Sequence, residues 1–169
     1  MTNTIAIGND HAGFDLKRFL KVELESKHWT VLDLGCHDTT IVDYPRYGRA
    51  MADAIRSRRV EMGILICGTG IGISIAANRY PQVRAAPVHD ALGARLARQH
   101  NNANVLCLGA QMIGLWVARD CLEIFLSTPF AEGRHVARVR MLGEPETEGA
   151  TLPEPGAAGS EISHLATSK

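Results

Sequence analysis

Residues 62–78 read MGILICGTGIGISIAAN, a run of seventeen residues without a charged side chain. Its opening six positions are apolar on both alternating faces apart from Gly63, which is the pattern of a strand covered on two sides. The run approaches membrane-spanning length, but Gly63, Gly68, Thr69, Gly70, Gly72, Ser74 and Asn78 interrupt its apolarity. A buried strand, a tight turn and a helix therefore fit it better than a span.

Working outward, apolar β-rich runs alternate with segments of helical period, the pattern of βαβ units around a parallel sheet. Strands are predicted over Thr4–Gly8, Trp29–Leu34, Met62–Cys67, Val83–Pro87 and Asn104–Gly109. Helices are predicted near Gly13–Lys27, Pro45–Arg59, Ile71–Arg79, Asp90–His100, Met112–Ser127 and Gly133–Leu142. Pro45 suits a first helical turn, Asp90 can accept from the amides of the turn it starts, and Gly35 and Gly109 close strands. The class is α/β. Residues 1–142 form one domain, and residues 143–169, with three Pro, four Gly, five Glu and no sustained apolar period, are expected to be a flexible C-terminal tail.

The chain has 169 residues, 46% of them hydrophobic, with Lys+Arg and Asp+Glu both at 18. One core of this size needs no metal or disulfide staple. The even charge lacks the basic signature of a nucleic-acid or anionic-membrane binder, so the expected partner is a small molecule. The tail carries a net charge of −4 and the rest of the chain +4, which fits an anionic ligand and equally fits ordinary surface scatter. MTNTIAIGND enters a strand at once, with no basic and apolar leader, so a cytoplasmic location is expected. Cys36, Cys67, Cys107 and Cys121 form no C-x-x-C pair, which supports neither a zinc site nor a disulfide framework.

In open α/β sheets, ligands bind beyond the C-terminal strand ends. Asp10 and His11 follow the first strand there, and Cys67-Gly68-Thr69-Gly70-Ile71-Gly72 follows the third. Three glycines in five residues let backbone amides converge on an anion. The turn lacks the Lys of a nucleoside-triphosphate loop and the spacing of a dinucleotide fingerprint. Cys67 precedes a helix start, where amide dipoles favour a thiolate. His11 and His100 are read as imidazole partners on the same sheet edge, whereas His28, His37, His89 and His164 are read as solvated. Cys36, Cys107 and Cys121 read as core thiols. Arg134 and Arg138, four apart on one helix, share a face and suit either a phosphate or solvent. Tyr44 suits either packing or a ligand hydroxyl.

The runs GNDHAGFDLK, VDYPRY, GILICGTGIGISIAANR, RQHNNANVLCLGAQ and EGRHVARV together closely resemble the type B ribose-5-phosphate isomerases, collinearly over residues 4–142. The wider group includes isomerases of allose 6-phosphate and galactose 6-phosphate. The resemblance implies a three-layer α/β/α, Rossmann-like domain with a five-stranded parallel sheet, working as a homodimer or homotetramer with shared active sites and without metal or other cofactor. It implies Cys67 as the base moving a proton between C2 and C1, His100 as the group assisting furanose opening, and Asp10 at the ring oxygen or a hydroxyl. Thr69 and the amides of Gly68, Gly70, Ile71 and Gly72 would stabilise substrate oxygens. His11, Arg134 and Arg138 would bind the phosphate, with Tyr44 and Asn101 completing the lining. Some members replace the cysteine with a small residue and use a Glu six positions later as base, whereas this chain keeps Cys67 and has Ile73 there, so it resembles the cysteine type; another family Arg is replaced here by Gln111. The expected reaction is interconversion of ribose 5-phosphate and ribulose 5-phosphate. Another aldose phosphate (tetrose, allose or galactose) is the alternative, ahead of a non-catalytic phosphosugar sensor and of a nicotinamide-dependent oxidoreductase.

Overall fold

The computed structural model describes residues 3–143. The tail beyond Gly143, with His164, lies outside the described residues. Five strands, β1 (Thr4–Asn9), β2 (Thr30–Asp33), β3 (Gly63–Cys67), β4 (Ala85–Pro87) and β5 (Val105–Gly109), form one parallel sheet in the order β2-β1-β3-β5-β4. The helices are α1 (Phe14–Ser26), α2 (Pro45–Arg56), α3 (Ile71–Ala77), α4 (Ala91–Asn101), α5 (Leu115–Ser127) and α6 (Arg134–Met141), and a 3-10 turn at His11–Gly13 precedes α1.

Side-chain periodicity sorts the helices onto the two faces. In α1, Leu16, Leu20 and Leu24 recur every fourth residue and are buried. They join Ala94 and Ala97 of α4 and Cys121, Leu122 and Phe125 of α5 against Ile5, Ile7, Ile64, Ile66, Leu106 and Leu108. The other sheet face, with Ala6, Leu65, Val105 and Cys107, takes Met51 and Ala52 of α2 and Ile73 and Ala77 of α3. Strand β3 is buried at all five positions, as its apolarity on both faces requires. Each fully buried Ile, Leu or Phe contributes about 1.5–3 kcal/mol, so this double core holds the three layers together. Helix α6 stands apart: it packs on α4 and buries none of its own residues.

The boundaries follow the local chemistry. Pro45 opens α2. The Asp90 side chain accepts from the Gly93 amide at 2.7 Å and caps α4. Predicted element ends shift by one to three residues; α5, for example, starts at Leu115 instead of Met112 because residues 110–113 make turns back onto Cys67, Gly68 and Gly109. Strand β1 sits beside both β2 and β3, and its chain leaves to one side while β3 leads to the other. That reversal opens a crevice at the C-terminal ends of β1 and β3.

Candidate active site

Cys67 is the last residue of β3, and only 4% of its surface is exposed. The chain then turns through Gly70 at φ +77, a left-handed conformation that directs the Gly70 N–H back onto the Cys67 Sγ at 3.1 Å. Thr69 is exposed, and its Oγ1 accepts from the Ile71 amide at 3.2 Å. Gly72 lies under the Tyr44 ring: a Cβ there would stand 2.7 Å from the Tyr44 Cζ. The neighbouring strand end closes against this turn, with the Ala110 N–H donating to the Cys67 carbonyl at 2.9 Å and the Gln111 N–H to the Gly68 carbonyl at 3.0 Å. The Gln111 side chain lies against Gly68.

The second wall comes from β1. Asp10 is buried, and its Oδ1 accepts from the amides of Ala12 and Gly13 at 3.0 and 3.2 Å, which caps the turn carrying His11. His11 Nδ1 lies 3.3 Å from both the N and the O of Val42, tying it to the segment that leads into Tyr44. Behind it lies a polar cluster the sequence reading missed. Lys17, a residue only 2% exposed, donates from its ammonium to Asp33 Oδ1 at 3.0 Å and to the Cys36 carbonyl at 2.6 Å. Asn9 Nδ2 donates to the Asp10 carbonyl at 2.7 Å and to Cys36 Sγ at 3.2 Å. Lys17 and Asn9 thus pin the segment after β2 to the start of the site. Their spacing in sequence carries no periodic signal, so only the fold reveals the cluster.

Cys36, Cys107 and Cys121 are buried, as expected of core thiols. Burial pushes the Cys36 and Cys107 thiols above their ordinary range and Cys121 up to about 11. His28, His37 and His89 are exposed. Among the described residues no three His, Cys, Asp or Glu side chains come together as a metal would need, and no helix is long and apolar enough to cross a membrane.

One expectation is corrected. His100 does not share the sheet edge of Cys67 and His11. Helix α4 leaves the C-terminal edge at Asp90 and runs back for eleven residues, so His100 lies about 15 Å of helix rise away, close to the start of β5. Asn101, Arg134 and Arg138 share its end of the sheet. There His100, Asn101, His135, Arg138, Val139 and Leu142 line a hollow of about 260 Å³. Among the described residues no carboxylate pairs with Arg134 or Arg138, and the His135 ring, which the sequence reading passed over, stacks on His100. One chain therefore carries two separate polar groups: a buried sulfur accepting from the Gly70 amide at one end, and imidazoles with guanidinium groups at the other.

Comparison with known proteins identifies the family. The sequence profile of the Ribose/Galactose Isomerase family matches residues 5–142. The chain belongs to that family. It is 41% identical over 138 residues to ribose-5-phosphate isomerase B of Escherichia coli, covering 82% of this chain and 93% of that one. A galactose-6-phosphate isomerase subunit of Clostridium acetobutylicum is 37% identical over 126 residues, covering 75% of this chain and 73% of that protein. Among solved structures, a ribose 5-phosphate isomerase of Thermotoga maritima superposes with a TM-score of 0.82 at 46% identity, covering 85% of this chain and 99% of that one. The chain is an aldose–ketose isomerase of sugar phosphates, and the expected three-layer α/β/α sheet is the fold it shares with these relatives.

Proposed function

We propose that this family member interconverts ribose 5-phosphate and ribulose 5-phosphate, in a pocket that two copies of the chain build together. The observation that carries the chemistry is the Gly70 amide on the Cys67 sulfur at the end of β3. Isomerisation removes a carbon-bound proton beside a carbonyl, and the enediolate so formed places negative charge on two oxygens. Fixed amides stabilise such charge by several kcal/mol. Cys67, with the Gly70 amide on its sulfur, takes the proton from C2 and returns it to C1, while Thr69 and the amides of Gly68, Ile71 and Gly72 face the oxygens. Asp10 has Oδ1 committed to two amides, which leaves Oδ2 for a substrate hydroxyl. Tyr44 lies over the turn and gives the pocket its aromatic wall.

His100 opens the furanose ring and, with Asn101, Arg134 and Arg138, belongs to the other end of the sheet. A substrate of this size cannot reach across that length, so the phosphate is held by the second copy's arginines together with His11 of the first. Two-fold pairing presents each end of one chain to the opposite end of its partner and makes two equal pockets. A homodimer, alone or doubled into a homotetramer, satisfies this requirement. The cytoplasm, where such phosphorylated sugars are handled, is the location this activity fits, and residues 143–169 lie outside the family match.

Incubation with ribose 5-phosphate in deuterated water, followed at C2, tests the reaction, with tetrose, allose and galactose phosphates as competing substrates. Exchange fastest on another sugar moves the assignment to it, and saturable binding without any exchange makes the chain a sensor. Cys67→Ala retaining full exchange would show that the base is elsewhere. Mixing inactive Cys67→Ala with inactive His100→Ala tests the shared pocket: random pairing leaves one intact site per mixed dimer, about a quarter of the original activity.

A further inference from the structure

We propose that His135 is a positioning residue for His100, its ring lying face to face on the His100 imidazole and fixing the plane in which that group meets a cyclic sugar. The inference rests on the ring-opening part of the proposed function. The two ring centroids are 4.4 Å apart and the planes diverge by 7°. His100 sits in the last turn of α4, next to a left-handed Asn102 at φ 44. Among the described residues no hydrogen bond uses either nitrogen of the His100 ring. The outer torsion of a histidine is broad and roughly two-fold, so without a contact on its face the ring plane would be free to turn. His135 supplies that contact and leaves both nitrogens of His100 available.

The stack is held from outside the core. The Ala131 N–H donates to the Gln99 carbonyl at 3.0 Å, and Arg98 Nε donates to the Thr128 carbonyl at 3.3 Å, so the approach to α6 is tied to the final turns of α4. Glu132 and Gly133 both take φ +55 and turn the chain onto α6. His135, in its first turn, is then set over His100. The charged groups facing His135 are Arg134 and Arg138 from its own helix and His100 from α4. Partial burial first, then these neighbours, hold its imidazole below the usual histidine range. A neutral His135 stays stacked while His100 exchanges a proton, because no like charge opposes the contact.

Ring opening breaks the C1–O4 bond; O4 takes up a proton and the anomeric hydroxyl gives one up, leaving an aldehyde. Ribulose 5-phosphate needs no such step, since its O5 carries the phosphate and it cannot close a five-membered ring. The two substrates therefore separate the role of His100 from that of Cys67. In His135→Ala, kcat for ribose 5-phosphate should fall by about tenfold, part of the gain that positioned proton transfer provides. Deuterium exchange at C1 of ribulose 5-phosphate, initiated at Cys67, should stay within about twofold of the unaltered protein. His135→Phe, which keeps a flat ring, should restore most of the ribose 5-phosphate rate. Equal loss on both substrates, an unchanged rate in His135→Ala, or a Phe variant no better than Ala would each overturn the proposal. Unaltered protein that exchanges with neither substrate would instead overturn the ribose 5-phosphate assignment, and this inference with it.

Discussion

Replacing Gly70 with alanine should strike stability and chemistry at one point. The residue holds φ +77, and a left-handed conformation costs an L-residue about 1–2 kcal/mol. The added Cβ would stand 3.0 Å from the Leu108 carbonyl carbon and 3.1 Å from the Gly109 nitrogen. These are backbone atoms of β5, a strand paired on both sides, so they cannot swing away as a side-chain tip would. Such crowding adds about 1–3 kcal/mol, for a total near 3 kcal/mol. A domain stable by about 5–15 kcal/mol survives that loss. With a urea dependence of about 1–3 kcal/mol per molar, the unfolding midpoint should drop by about 1.5 M. Equilibrium urea unfolding followed by circular dichroism measures it. Gly114→Ala is the reference, because nothing lies within 4 Å of its Cβ position and the cost there should stay below about 1 kcal/mol. Isomerase turnover of folded Gly70→Ala should also fall, by about a hundredfold, as the amide leaves the sulfur. Midpoints of the two variants that coincide would refute the reasoning.

At Gly72 the same substitution meets the tip of Tyr44, a side chain that can move, so Gly72→Ala should cost less than about 1 kcal/mol in urea unfolding while raising the KM for the sugar phosphate. Lys17→Met removes a buried ammonium bonded to Asp33 and the Cys36 carbonyl; because Lys21 also lies 3.6 Å from Asp33, the loss should be about 2–4 kcal/mol in the same assay, and less than 1 would contradict the burial. The depressed titration of His135 has a definite sign. The unfolded chain takes up that proton first as pH falls, so folded stability declines below about 6.5, and an NMR titration should place the His135 midpoint below that of a free histidine.

The fold was legible because each element kept one clean period. The all-apolar 62–67 run, the four-residue leucine repeat of α1 and the capping chemistry at Pro45 and Asp90 are local facts, and the structure moves their ends by only one to three residues. Sheet order is not local, and the position of His100 shows the consequence. Asp10 and Cys67 end strands and so share an edge, whereas His100 ends a helix that starts from that edge and therefore finishes at the other. The Lys17, Asp33, Cys36 and Asn9 cluster was hidden for a related reason: its members lie on separate elements, and a buried ammonium on an apolar helix stripe looks in sequence like a solvated one. His135 was concealed by Arg134 and Arg138, whose spacing drew the reading of α6 to the charges and away from the ring between them.

Helix α6 contributes no side chain to either core, yet it carries Arg134, Arg138 and the ring stacked on His100. Segments with so little burial open at free energies well below that of global unfolding. Arg134 and Arg138 are thus mounted on a helix with little burial, and their guanidinium groups, four residues apart, repel one another. A doubly negative ligand that neutralised them would tighten the helix as it bound, so part of the affinity would be spent on local ordering and recognition of the anion would be inseparable from the rigidity of the imidazole beside it.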